Sequence, residues 1–236
     1  MKKERLVTVF VTVCVLTLLV APLVATYATR QREPIYQGKS LSVWLVEAST
    51  AGSWPRQSSS PADEAIRQIG TNAFPMISRL LRSRESALRS KVIELLYKQS
   101  FVRIHITTQT ERHDQAIAGC YALGPVAKPL VPEVAKALKH LANQPFAEQW
   151  LQELGPDAEA AIPALVEILR DKKNVVRFMA AQNLAHIAIH RQEEVLPVLN
   201  ECLQDTNNLV RYEAGLALKI LEDEASIEAM ARRGVQ

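Results

Sequence analysis

Aromatic residues make up only 6% of the chain, and its 236 residues include just eight glycines and three cysteines. Few glycines argue against an all-β protein, whose tight turns draw on them heavily. No Gly-rich phosphate loop, Gly-x-Ser-x-Gly elbow or Cys-x-x-Cys pair occurs, which removes the common signatures of nucleotide, acyl-transfer and dithiol chemistry. Charge excess is also missing. The net charge is +3, and Lys2, Lys3, Glu4 and Arg5 supply two units of it, so the remainder is near neutral. A nucleic-acid binder carries a clear cationic surplus, so that partner class is not expected. His186 and His190 are four apart and could share a helix face, but no third ligand stands at a convincing spacing. A zinc site needs three or four. No cofactor, metal, catalytic residue or small-molecule substrate is therefore expected.

What is present is apolar helix-forming sequence: 48% of residues are hydrophobic and 22% charged, ordinary for a folded domain. Leu6 to Ala28 contains no charge, comes after a cationic Met1–Arg5, and is closed by Arg30 and Arg32. Such a run is long enough to span a bilayer. Its Leu6–Val20 part also fits a signal-peptide core, with Thr26-Tyr27-Ala28 as a cleavage site. Anchor and cleaved signal both remain open, and both place the rest of the chain outside the cytoplasm. Cys14 in this run lacks the Leu-x-x-Cys context of a lipoprotein. Cys120 and Cys202 fall in predicted helices of non-adjacent repeats, too far apart for a disulfide, and read as buried thiols.

Beyond this run the chain repeats itself. Pro163 and Pro197 lie 34 residues apart, as do Asp171 and Asp205, Val176-Arg177 and Val210-Arg211, Ala180 and Ala214, and Leu184 and Leu218. Leu123-Gly124-Pro125 and Leu154-Gly155-Pro156 begin similar upstream segments, and Ile69-Gly70-Thr71-Asn72-Ala73-Phe74-Pro75 is another copy. In each unit glycine ends one helix and proline opens the next. An Asp/Asn turn then starts a second helix with apolar residues on one stripe. Such a pair cannot cover its own apolar surface and must stack on neighbours.

Over residues 61–223 this pattern resembles the HEAT-repeat family, especially the short HEAT-like repeats also found in bilin lyases. The resemblance implies an all-α fold: an α-solenoid serving as a protein-binding scaffold, here behind an N-terminal transmembrane or signal helix. Residues 1–30 are assigned to that segment, 31–60 to a linker and capping helix, and 61–236 to the repeat array. Helices are expected near 40–48, 61–70, 72–83, 86–100, 113–123, 127–141, 146–154, 159–170, 174–190, 193–204, 208–221 and 224–233. Leu41, Trp44 and Leu45 would cover the first repeat, and 51–61 reads as a loop. Between Pro75 and Pro132 the spacing is 57 rather than 34. The excess lies around 99–110, where Val102, Ile104 and Ile106 alternate with Arg103 and His105. It is read either as an irregular helix pair or as a contact loop.

The resemblance also implies a structural ladder in which Arg89, Arg177 and Arg211 pair with turn aspartates such as Asp171 and Asp205. Some HEAT-like enzymes hold di-iron through His-Glu pairs, but none of the five histidines here precedes a glutamate. The candidate partner-binding face is the polar side of the second helices: Phe178 and Tyr212 in register, flanked by Lys91, Gln182, His186 and Lys219, with Arg103 and His105 from the insertion. The expected function is a non-catalytic adaptor for another protein, exported and membrane-tethered through residues 6–28 if uncleaved. A bilin-lyase-like enzyme or cofactor carrier is the alternative. A second is an envelope or lipid binder using Arg79–Arg112, where eight Lys/Arg face three acids.

Overall fold

Glycine stops and proline starts, recurring along the chain, set the architecture. The structure is a computed structural model and describes residues 33–51, 60–84, 91, 107–140 and 145–234. A two-residue hairpin, β1 (Ile35–Tyr36) with β2 (Lys39–Ser40), leads into α1 (Leu41–Thr50), α2 (Pro61–Ile69) and α3 (Phe74–Leu81). The array continues with α4 (Gln109–Leu123), α5 (Val131–Ala137), α6 (Pro145–Leu154), α7 (Ile162–Arg170), α8 (Arg177–Ile187), α9 (Gln192–Cys202) and α10 (Asn208–Gly234).

Gly70, Gly124 and Gly155 take φ of +61°, +58° and +53°. A Cβ at Gly70 or Gly124 would touch nothing within 4 Å, so the left-handed backbone, not lack of space, selects glycine there. Each glycine opens a 3-10 segment, Gly70–Ala73, Gly124–Leu130 and Gly155–Ala161. Each segment delivers the chain to a helix with proline in its first turn. The spacing of apolar residues predicts α-helix through 127–130 and 159–161. Those residues are 3-10 because the α register is established only at Val131 and Ile162.

Helices α3, α5, α7 and α9 stack in one layer, and α2, α4, α6, α8 and α10 stack in the other. Within a unit α3 packs on α4, α5 on α6, α7 on α8 and α9 on α10. One continuous core runs between the layers, with Ile66, Ile77, Ile117, Leu151, Leu165 and Leu184 fully buried. Each such side chain contributes about 1.5–3 kcal/mol by leaving water. Gly119 allows α4 to approach closely: a Cβ there would lie 2.8 Å from Leu45 Cδ2 and 2.9 Å from Ile77 Cδ1.

At the N-terminal end, Leu41, Trp44 and Leu45 are buried as the sequence suggested, but the preceding hairpin was not expected. Gln37 (φ +48°) and Gly38 (φ +77°) form its turn. Trp44 Nε1 donates to the Tyr36 carbonyl at 3.1 Å. Lys39 Nζ lies 4.3 Å from the Trp44 ring centre and 2.6 Å from Glu47 Oε1.

Cys120 and Cys202 are buried free thiols. Burial pushes both up from the ordinary thiol range, Cys120 with help from Glu133 and Cys202 with help from Asp205. Since the thiolate is the reactive form, neither should be alkylated by iodoacetamide at neutral pH in the folded protein. Both should be alkylated after unfolding, as read by peptide mass mapping. Modification of Cys202 in the native state would contradict its placement.

Candidate protein-interaction surface

The 34-residue period places equivalent residues of α8 and α10 side by side. Their turns share a local device. Asp171 Oδ1 accepts from the Lys173 amide at 3.2 Å, and Asp205 Oδ1 accepts from the Asn207 amide at 2.9 Å. Beyond this the two aspartates differ. Asp171 is exposed. Asp205 is 2% exposed and its other oxygen takes both the Arg177 guanidinium and Lys172 Nζ, the latter at 3.0 Å. Arg177 is itself 5% exposed. That guanidinium, with the Asn207 amide and Lys172 behind it, holds the Asp205 carboxyl well below the usual carboxylate range against the opposing effect of burial. Arg211, the equivalent of Arg177, is exposed and donates to the carbonyls of Asp205 (2.7 Å) and Thr206 (3.1 Å). Among the described residues, the expected ladder thus has one charged rung, Arg177 to Asp205. Arg89 lies outside the described residues.

The faces of α8 and α10 are set by the same register. Arg177, Ala181, Ala185 and Ala188 are buried in or just after α8, whereas their counterparts Arg211, Lys219 and Glu222 are exposed and Gly215 is half-buried. The outer side of α10 is therefore polar, as an exposed solenoid end requires. A second face differs. Val175 is 69% and Tyr212 is 67% exposed, with Leu209 at 50% and Leu216 at 41%. By register Val175 is level with Leu209, Phe178 with Tyr212, Gln182 with Leu216, and His186 with Ile220. Phe178 and Ile220 are half-buried against the core, Gln182 is half-buried, and His186 and Lys219 are exposed. Val175, Leu209 and Leu216 are members of this face that the repeat pattern did not single out. Apolar residues beside a repeated aromatic were the available signal.

Lys91 is exposed, and Arg103 and His105 lie outside the described residues. His186 belongs to α8, but α8 ends at Ile187 and His190 falls in the next turn, so the two histidines do not share a helix face. Among the described residues no group of three His, Cys, Asp or Glu side chains could hold a metal, and no helix is long and apolar enough to cross a membrane. Residues 6–28 lie outside the described residues.

The chain is tied at the base of the stretch 84–106, which takes in most of the 99–110 excess. Arg112 is 9% exposed. Its Nε donates to Ser83 Oγ at 3.0 Å and its Nη1 to the Thr107 carbonyl at 2.8 Å. One side chain thus bridges the residues just before and just after the segment 84–106. Arg112 is held inside the fold and Arg82 pairs with Glu133 at 2.5 Å. Of the two, only Arg112 is withdrawn from the surface; the Arg82 side chain stays 73% exposed. A cleft of about 450 Å³ lies beside this base, where Arg84 and Lys136 meet the Arg82–Glu133 pair.

Glu148, on α6, is 9% exposed, and its Oε1 is buried without a hydrogen-bond partner. Burial, with the negative charge of Glu213 on α10 adding to it, pushes its carboxyl up to about 7.

The family model for HEAT repeats matches residues 131–219 and, in a second placement, 162–234. No curated protein and no solved structure matches the chain.

Proposed function

Because residues 131–234 match the HEAT-repeat family, we propose that this protein is a non-catalytic scaffold that binds another protein through the joint face of α8 and α10. The observation that supports this most is the exposure of Leu209, Tyr212 and Leu216 beside Val175, which is level with Leu209 in the repeat. Apolar side chains left in water on α10 and on the turn that leads into α8 are the kind of patch that marks an interaction site, and tyrosine is enriched among residues that dominate binding energy. Half-buried Phe178 and Gln182 give the patch a fixed floor, and His186 and Lys219 give it a polar border.

In this reading the array acts outside the cytoplasm, tethered by the Leu6–Ala28 run or released after its cleavage. What supports export is the cationic Met1–Arg5 before an uncharged stretch of that length. Catalysis is not part of the proposal: HEAT repeats form a frame, and function depends on the site each carries.

Tyr212→Ala should weaken capture of the partner from a membrane extract by about tenfold or more, the loss typical of a central aromatic anchor. Folding should be unchanged, since the ring is mostly in solvent. Equal recovery with wild type and Tyr212→Ala would contradict the assignment of this face. Bound chromophore in the purified protein would favour a cofactor carrier instead.

A further inference from the structure

The contact between α3 and α5 departs from the charge pattern of the contacts that follow it. Arg82, Lys139 and Arg170 each stand seven residues after the proline that opens α3, α5 and α7. Lys136, Glu167 and Glu201 each stand four residues after the corresponding proline of α5, α7 and α9. Where α5 packs on α7, Lys139 pairs with Glu167. The matching positions where α7 packs on α9 are Arg170 and Glu201, again opposite in charge. Where α3 packs on α5 they are Arg82 and Lys136, both cations.

A substitute serves one of the two. Glu133, nearly one turn before Lys136 on α5, pairs with Arg82 at 2.5 Å. Lys136 is exposed, as is Arg84, and neither has an ion-pair partner among the described residues. All four charged side chains line the cleft of about 450 Å³, whose walls also include Leu81 and Pro132. Like charges gathered in one groove repel, and the glutamate that relieves this in the next unit is absent here.

We infer that this cleft binds a phosphate monoester, whose phosphate supplies the charge that Glu167 supplies in the next unit and whose organic part lies against Leu81 and Pro132. The lining holds three cations and one carboxylate, a surplus of two positive charges. A phosphate monoester is close to a dianion at neutral pH and cancels that surplus, whereas a single carboxylate leaves half of it. The planar guanidinium also meets phosphate oxygens two at a time. Apolar walls beside the cations favour an ester over inorganic phosphate, and the volume suits a small ligand. No loop motif announces the site, because its charges come from two successive units of the array. A soluble ester and the headgroup of a lipid share this chemistry. The inference goes beyond the scaffold reading and does not depend on it.

The test uses the full chain in detergent, with lysine acetylation by acetic anhydride read by peptide mass mapping. Phenyl phosphate should slow acetylation of Lys136 saturably, by about fivefold or more, through its contact with the ammonium. Lys219, exposed on α10, should react as before. Arg84→Gln should raise the concentration needed by about tenfold or more, the worth of one hydrogen bond to a charged group. Circular dichroism would confirm that this exposed substitution leaves the fold intact. Arg170→Gln, outside the cleft, should leave the protection unchanged. Phosphatidic acid in the same detergent is the second probe. Protection at a lower concentration than phenyl phosphate assigns a lipid headgroup, and the reverse order assigns a soluble ester. No protection by either probe, equal slowing at Lys219, or protection that Arg84→Gln leaves unchanged would each overturn the proposal. None of these outcomes touches the partner-capture result with Tyr212→Ala.

Discussion

Asp205→Ala is expected to lower the unfolding free energy by about 3–5 kcal/mol at pH 7, the cost of leaving one member of a buried ion pair without the other. Arg177 is 5% exposed and would keep its charge with no carboxylate opposite. The Asn207 amide would also lose its acceptor. The equivalent Asp171→Ala removes a similar turn bond from an exposed site and should cost about 1 kcal/mol or less. The two substitutions sit 34 residues apart in one motif and remove the same turn bond, so the difference between them reads the buried ion pair. The effect of pH comes from the depressed Asp205 carboxyl. Its contribution is complete above the unfolded carboxylate pKa of about 4 and is lost as pH falls through the lower folded value. Wild type and Asp205→Ala should therefore converge in acid. Urea titrations at pH 7 and pH 3 would check both statements, and a constant gap between them would contradict the ion-pair account.

Glu148→Gln is expected to have the opposite sign, stabilising the protein by roughly 3 kcal/mol at pH 8 and by little at pH 5. The folded carboxyl sits at about 7 against an ordinary 4.5, and each pH unit of difference corresponds to about 1.4 kcal/mol. Here the folded state holds its proton more tightly than the unfolded chain does. Stability is therefore greatest below the unfolded pKa and declines as pH rises toward 7, because ionising the buried group becomes an added cost. Above pH 7 that cost is fully expressed and glutamine avoids it. Glu213→Gln should bring the Glu148 carboxyl part of the way down, by removing the like charge. Thermal melts at the two pH values would read the difference. A gain over wild type no larger at pH 8 than at pH 5 would contradict the burial of this group.

Much of the repeat frame could be read from residue spacing. The prolines at 163 and 197, the aspartates at 171 and 205 and the Val-Arg pairs at 176 and 210 locate α7 to α10, because each residue type has one physical task in the unit. The pairing of Arg177 with Asp205 fits the same spacing. Spacing alone does not separate Asp205 from Asp171, because burial depends on what the neighbouring unit places over the turn. Shorter signals are hidden by the repeat period. Thr108-Gln109-Thr110-Glu111 is a capping box: Thr108 Oγ1 accepts from the Glu111 amide, and Glu111 Oε2 accepts from the Thr108 amide at 2.9 Å. It starts α4 four residues before the expected 113. Glu222-Asp223-Glu224 resembles a break between helices at 221 and 224, yet α10 runs through it, since acidic residues without glycine or proline do not stop a helix. The base of the insertion was not legible at all, because Arg112 reaches Ser83 across the fold.

The proposed binding face stands between these cases. Phe178 and Tyr212 mark it in sequence, but only the packing reveals that Tyr212 is mostly exposed and Phe178 is not. Site-specific photo-crosslinking from position 212 in intact membranes tests the central claim most directly, with position 136 on α5 as the control. The scaffold account predicts a discrete adduct from 212 to a protein other than this chain, and none of comparable yield from 136. No adduct from 212 to another protein, or the same adducts from both positions, would contradict it.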